Sequence, residues 1–344
     1  MATLRSDVII PEIFTPYVIE QSTQRNAFLA SGVVQPMAEL NATEGGDFVN
    51  VPFFKANLSG DLEVLTDSTS LTPGKIQADK QVGVILHRGR AFETRDLAAL
   101  ASGADPMAAI GQKVGEYVAN QQQIDLYKCL EGVFGSLTGS DSPAFDALRF
   151  DTSGATALGP RQVAKARALL GDQGDKLTAV AMHSACYYDL VERKAIDYVT
   201  ATDARVTASS AAAGSITALN AFGGSIASAY GGDVSVPTFM GMRVIVSDDI
   251  TNSAGNYACY FFTNGAVASG EQAAMRTETD RDILAKSDAM SIDMHYLYHP
   301  IGAKWAVSTV NPTRAQLATV GNWSKVYETK NIGITRATIT SNFD

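Results

Sequence analysis

Residues 105–134 read DPMAAIGQKVGEYVANQQQIDLYKCLEGVF, and the other assignments are built outward from this segment. Asp105 suits a helix N-cap and Pro106 the first helical position, where its missing N–H costs nothing. Gly135 supplies a stop. Between them Ile110, Val114, Tyr117, Val118, Gln121 and Ile124 recur at helical spacing, and Leu130 and Phe134 continue the stripe. An unbroken helix of about 29 residues would be about 43 Å long. That is more than twice the mean globular length. Its expected packing face carries Ile110, Val114, Tyr117, Val118 and Ile124. Periodicity alone fits a long core helix of any large domain. Strand patterns on both sides make it a spine on which other parts are hung.

Ahead of this helix, residues 1–40 read as an extended arm with a short amphipathic helix carrying Phe14 and Val18, too poor in apolar surface to fold alone. The period then changes to two. FVNVPFFKA (48–56) and KQVGVILHRGRAFE (80–93) are expected as two strands paired in a ribbon, with a polar excursion at 61–79 between them. A two-stranded ribbon is marginal in water by itself, so a neighbouring surface is expected to cover its apolar face. After the spine, LGPRQVAKARALLGDQG gives a second helix, followed by a buried strand at 177–182 and a helix from Ser184. Residues 200–232 are a low-complexity run of Ser, Ala and Gly. VPTFMGMRVIVSDDI (236–250) turns at Met240-Gly241, and NYACYFFTNGAVASGEQ (256–272) reads as one buried strand. Strands alternating with helices over about 160–265 indicate an α/β or α+β domain. Residues 281–307 read as long strands meeting near Pro300-Gly302, and the tail ends in a strand at 332–339.

The 344 residues allow two or three compact units. Only 18% are charged, and 29 are glycine. A charged share below the usual ~25% implies that much of the surface is covered by something other than water. A net charge of −9 argues against sequence-independent duplex binding, which needs a concentrated basic footprint. Such a balance suits a protein that lines a DNA container without gripping the contents. Cys129, Cys186 and Cys259 are far apart and form no zinc pattern, so reduced thiols are expected. No signal peptide and no membrane span are visible.

The search for chemistry finds no catalytic constellation. His295 and His299 are four apart, but MSIDMHYLYHP alternates as a strand, which spaces them about 13 Å apart, too far to share an ion. His183 and Ser184 are adjacent at a strand-to-helix turn and lack a nucleophile elbow. Asp248-Asp249 reads as a solvated acidic turn. No P-loop, dinucleotide fingerprint or metalloprotease motif is present. No cofactor, no metal and no membrane partner are expected.

Assembled in order, the chain resembles a tailed-bacteriophage major capsid protein of the Hong Kong 97-like fold. MHSACYYDLVERKAID (182–197) resembles the MHS-x-x-Y-x-x-L turn and helix of those coat proteins. FMGMRVIVSDDI (239–250), with the strand after it, resembles their G-x-x-V-x-V-x-D-D segment. HPIGAKW (299–305) and NPTRAQLATVGNWSKVYETKNIGI (311–334) match in style.

The resemblance implies an N-terminal arm at 1–40, an extended β-ribbon loop at 45–95, and a peripheral domain with the spine helix at 100–159 and 270–310. An axial α/β domain takes 160–265, and 311–344 is a C-terminal segment of unassigned packing. It implies hexamers and pentamers of this chain closing into an icosahedral shell around double-stranded DNA, assembled in the bacterial cytoplasm and residing in the virion. Because Met1 leads almost directly into the arm, scaffolding is expected from a separate protein, or the assembly manages without one; a portal protein and a decoration protein are the other implied partners. Isopeptide cross-linking of the founding member's kind finds no pairing motif among Lys55, Lys75, Lys80, Asn311, Asn322 and Asn331. Asp61, Glu63 and Asp67 in the loop and Arg88, Arg90 and Arg95 on its returning strand and base are expected to form inter-subunit ion pairs. The rival readings are an encapsulin-like compartment of the same fold and a soluble α/β enzyme.

Overall fold

The computed structural model describes residue 28 and residues 31–41, 45–55, 62, 76–96, 106–137, 142–152, 157–199, 236–250, 252–253 and 255–341. The helix expected in the arm, nearly all of the loop between 56 and 75, and the low-complexity run lie outside these residues.

Helix α1, Pro106–Phe134, has the 29 residues anticipated. Gly135 ends it with φ 93°, and the Gly135 N–H bonds to the Glu131 carbonyl at 2.7 Å. This left-handed stop satisfies an otherwise orphaned carbonyl. Two sheets flank the helix. The first is four-stranded: β1 (Val34–Pro36), β12 (Val267–Asp282), β13 (Ser287–Pro300) and β4 (Leu86–Arg95), in that order. β1 runs parallel to β12, and the remaining pairs are antiparallel. The second sheet is eight-stranded. Its path is β5 (Arg149–Asp151), β16 (Ile334–Thr340), β11 (Asn256–Thr263), β6 (Leu177–Met182), β9 (Met242–Val246), β8 (Val236–Phe239) and β7 (Asp197–Val199), with β10 (Asn252–Ser253) beside β11. Helices α2 (Pro160–Leu169) and α3 (Ser184–Glu192) accompany it.

The spine joins the two sheets. Near its start Tyr117 meets Phe92 of β4 edge-on, with ring centroids 5.9 Å apart. At its end Phe134 packs against Tyr260 of β11, at 6.1 Å. One continuous apolar core therefore runs from Val84 and Met290 through α1 to the strands β6, β11 and β16.

The buried side of α1 is not the single stripe that periodicity drew. Val114 and Val118 are buried, Ile110 and Ile124 are half-buried, and Tyr117 is exposed. From Asp125 onward Leu126, Tyr127, Cys129, Leu130, Val133 and Phe134 are all buried. The first half lies over one sheet with its far side open. The second half is enclosed between the core and the C-terminal segment, so burial there stops being one-sided.

Three strand assignments are corrected. The expected strand 80–93 breaks at Ile85, giving β3 (Ala78–Val84) and β4 in different sheets. β3 pairs with β2 (Phe48–Phe54), from Phe48 opposite Val84 to Phe54 opposite Ala78. The expected strand 256–272 breaks at Asn264-Gly265, where Gly265 has φ 65°, and divides into β11 and β12. The long strands meet at the 283–286 turn between β12 and β13, whereas Pro300-Gly302 leads into β14 (Ala303–Trp305). The tail ends in a strand as expected, and this β16 inserts between β5 and β11, a packing that sequence left unassigned. A long apolar run looks the same whether it is one strand or two, because side-chain alternation does not record which sheet each half joins.

Met240-Gly241 forms the expected two-residue turn between β8 and β9, with both residues at positive φ, 51° and 79°. That handedness matches the twist of the paired strands.

Candidate functional site

The histidines and the hydroxyl that sequence singled out serve as structure. His183 Nδ1 accepts the Ala185 N–H at 3.2 Å, which makes His183 the N-cap of α3 and leaves no hydrogen bond to Ser184. His295 stacks flat on His87 with centroids 4.1 Å apart and meets Gln272 Oε1 at 3.2 Å. His299 is buried against Gln81 Oε1, at 3.2 Å. Asp249 receives the Gln123 amide at 3.0 Å, tying α1 to the end of β9. Among the described residues no group of three or more His, Cys, Asp or Glu stands close enough to hold a metal. No described helix is long and apolar enough to cross a membrane. Cys129, Cys186 and Cys259 are buried thiols. Burial pushes the Cys129 thiol well above its ordinary pKa, so it stays neutral and unreactive.

The organising polar group is Asp125, fully buried on α1. Its Oδ1 takes the Arg314 Nε at 2.5 Å. Its Oδ2 takes the Tyr296 hydroxyl at 2.6 Å and the Arg88 Nε at 3.3 Å. Arg88 also donates to the Pro312 carbonyl at 2.8 Å and to Asn311 Oδ1 at 3.0 Å. Arg314 also reaches Gln121 Oε1 at 2.8 Å. One carboxylate thus gathers β4, β13 and the C-terminal segment onto the spine. Burial first, and then the Asp125 charge, hold the Tyr296 phenol well above its ordinary pKa, so it remains a donor.

Two further contacts close the same face. Trp323 donates to the Leu317 carbonyl at 2.8 Å and meets Trp305 edge-on at 5.2 Å. Gly132 of α1 lies directly beneath this pair, where a Cβ would overlap the Leu317 carbonyl and press on the Trp323 indole. At the end of the spine, buried Arg336 of β16 donates to the Phe134 and Gly135 carbonyls. A cation there complements the negative end of the helix dipole.

Sequence reasoning missed this clamp. Its signal was present: Asp125 stands seven residues after Val118, on the stripe reserved for apolar side chains. A charge in that register needs partners, and they come from segments no local pattern links to it. Of the six residues expected in inter-subunit ion pairs, Asp61, Glu63 and Asp67 lie outside the described residues. Arg90 and Arg95 are exposed on β4. Arg88 is corrected: it is committed within the subunit to Asp125 and the 311–312 backbone and side chain.

The geometry is that of a scaffold, with polar groups spent on holding segments together. A family model described as "Gp13-like: Major capsid protein 13-like" matches residues 13–332. The chain is 34% identical over 345 residues to the major capsid protein of Bacillus phage SPP1, covering 96% of this chain and 95% of that protein. In fold it is similar to the cyanophage Pam1 capsid protein, with TM-score 0.56, 14% identity and 93% of each chain covered. It is also similar to the capsid of Ralstonia phage GP4, with TM-score 0.57, 9% identity, and 91% of this chain and 88% of that chain covered. These likenesses are to the Hong Kong 97-like shell fold and offer nothing for the enzyme reading. The chain belongs to the Gp13-like family of major capsid proteins, structural proteins of the phage virion and not enzymes.

Proposed function

We propose that this chain assembles as hexamers and pentamers into an icosahedral shell enclosing the double-stranded DNA of a tailed phage. The observation that carries this reading is the β2–β3 ribbon. Its inner residues Val82 and Val84 are buried, while at its outer end Phe54 is 76% and Ile76 61% exposed. A chain working alone gains nothing from holding two large apolar side chains in water; a ribbon covered by the next copy does. In this reading residues 1–40 are the arm and 45–95 the extended loop, and each lends one strand, β1 and β4, to the sheet of the peripheral domain. The α1 region and the four-stranded sheet form the peripheral domain, and the eight-stranded sheet the axial one. The acidic stretch with Asp61, Glu63 and Asp67 meets basic side chains of the next copy, with Arg90 and Arg95 as the exposed cationic partners on β4. Scaffolding, portal and decoration proteins are the expected partners, and the net charge of −9 suits enclosure of DNA without sequence-specific binding. Similarity to phage capsids favours a genome over enzyme cargo as the contents.

Electron microscopy of the purified chain tests the reading. Rings, tubes or closed shells are expected, and virions should contain nuclease-protected DNA inside a shell of this chain. A stable folded monomer at micromolar concentration would sink it.

A further inference from the structure

The turn between β12 and β13 presents two large apolar side chains to solvent: Ile283 is 71% exposed and Leu284 97%. It is nevertheless a braced turn. The Asp282 carboxylate accepts the Leu284 and Ala285 N–H groups at 2.8 and 3.0 Å. Arg281 is held by Asp96 at 2.7 Å and Asp288 at 2.8 Å. Lys286 closes the turn at φ 52°, and its carbonyl accepts the Asp96 N–H at 2.9 Å. An apolar knob held this firmly is built to meet something.

The same end of the subunit carries an apolar socket. Phe92 of β4 and Ile110, Lys113, Val114 and Tyr117 of α1 line an open groove of about 350 Å³. It has room for one or two aliphatic side chains, and its cationic feature is the exposed Lys113. The knob's surroundings are acidic: residues 280–288 carry Asp280, Asp282 and Asp288 against Arg281 and Lys286, a net −1. Knob and socket do not meet within one chain. Phe92 pairs with Met290 and Asp282 with Ser287, so three residues of paired strand, about 10 Å, separate the socket from the base of the turn. The braced turn has no slack with which to fold back.

We infer that the Ile283–Leu284 knob of one subunit seats in the Phe92–Ile110–Val114–Tyr117 socket of a second copy of this chain, with Lys113 facing the acidic turn. The inference rests on the capsid reading and adds a specific contact to it, distinct from the ribbon. Each copy carries both halves at one end, so the contact can repeat between neighbours without another protein.

The test is assembly of the full chain with exchanged charges. Leu284 is almost fully exposed, so Leu284→Lys and Leu284→Glu should leave the melting temperature and circular dichroism of the free subunit unchanged. Leu284→Lys sets a second amine against Lys113 and should lower the yield of closed shells about tenfold. Leu284→Glu should fall less. Adding Lys113→Glu to Leu284→Lys should restore most of the yield, and adding it to Leu284→Glu should worsen the defect. In Leu284→Cys/Lys113→Cys particles, a short bismaleimide should give a ladder of covalent oligomers. Normal shells from Leu284→Lys, no response to Lys113→Glu, or cross-links confined to single chains would each overturn the inference while leaving the capsid reading intact. Failure of the unmodified chain to associate at all would overturn both.

Discussion

Arg314 Nε lies 2.5 Å from Asp125 Oδ1, although 189 residues separate the two along the chain. With Arg88 and Tyr296 on the other oxygen, the carboxylate fixes where the C-terminal segment crosses the spine.

Removing that carboxylate leaves two arginines facing one another without their shared counter-ion. Breaking a buried pair typically costs 3–5 kcal/mol. Both guanidinium groups reach solvent in part, so Asp125→Ala should fall near the low end, about 3 kcal/mol, in urea unfolding of the free subunit. A loss below about 0.5 kcal/mol would mean that the clamp is ornamental.

Gly132→Ala pits two effects against each other. Alanine gains up to about 1 kcal/mol of helix propensity. Its methyl would overlap the Leu317 carbonyl, and overpacking costs about 1–3 kcal/mol or more. The clash should win, with the tail displaced. Trp305 and Trp323 are the chain's two tryptophans, so a red shift in their emission reports the displacement directly. Unchanged emission with raised stability would show that the tail yields freely.

Burial lowers the His299 pKa from 6.5 to about 4. The unfolded chain therefore binds a proton that the folded chain refuses between those values. The contribution is fully present above about pH 6.5, is lost progressively as pH falls toward 4, and is constant below that. The loss is about 3 kcal/mol. His299→Gln should flatten this part of the stability–pH curve; an identical curve would assign the acid limb to other groups.

Reversing Asp61, Glu63 and Asp67 to lysine should leave the subunit's melting temperature unchanged and impair shell closure. Exposed pairs contribute about 0–1 kcal/mol each, so the defect should appear only when many copies are summed and should depend on salt. Light scattering during assembly at low and high ionic strength reads this out. Normal closure at both would make the acidic stretch irrelevant to the lattice.

The spine was legible because it is local. Pro106 and Gly135 mark its ends, and a 3.6-residue period needs no distant partner to be seen. For the same reason the α2 helix, the β6 strand and the Met240-Gly241 turn could be read from their own residues. What sequence alone determined was thus the order and type of the elements, and through that order the resemblance to capsid proteins.

Tertiary structure decided which sheet each strand joins. Ile85 and Asn264-Gly265 divide runs read from sequence as single strands, and β16 enters the sheet between β5 and β11, more than 70 residues from β11 and nearly 190 from β5. It also decided the polar clamp, turning Arg88 inward to Asp125 where an outward role was expected. The physical reason is common to both. A strand's partner and a buried charge's counter-ion are set by three-dimensional closure of the chain, and closure brings together residues whose spacing carries no period.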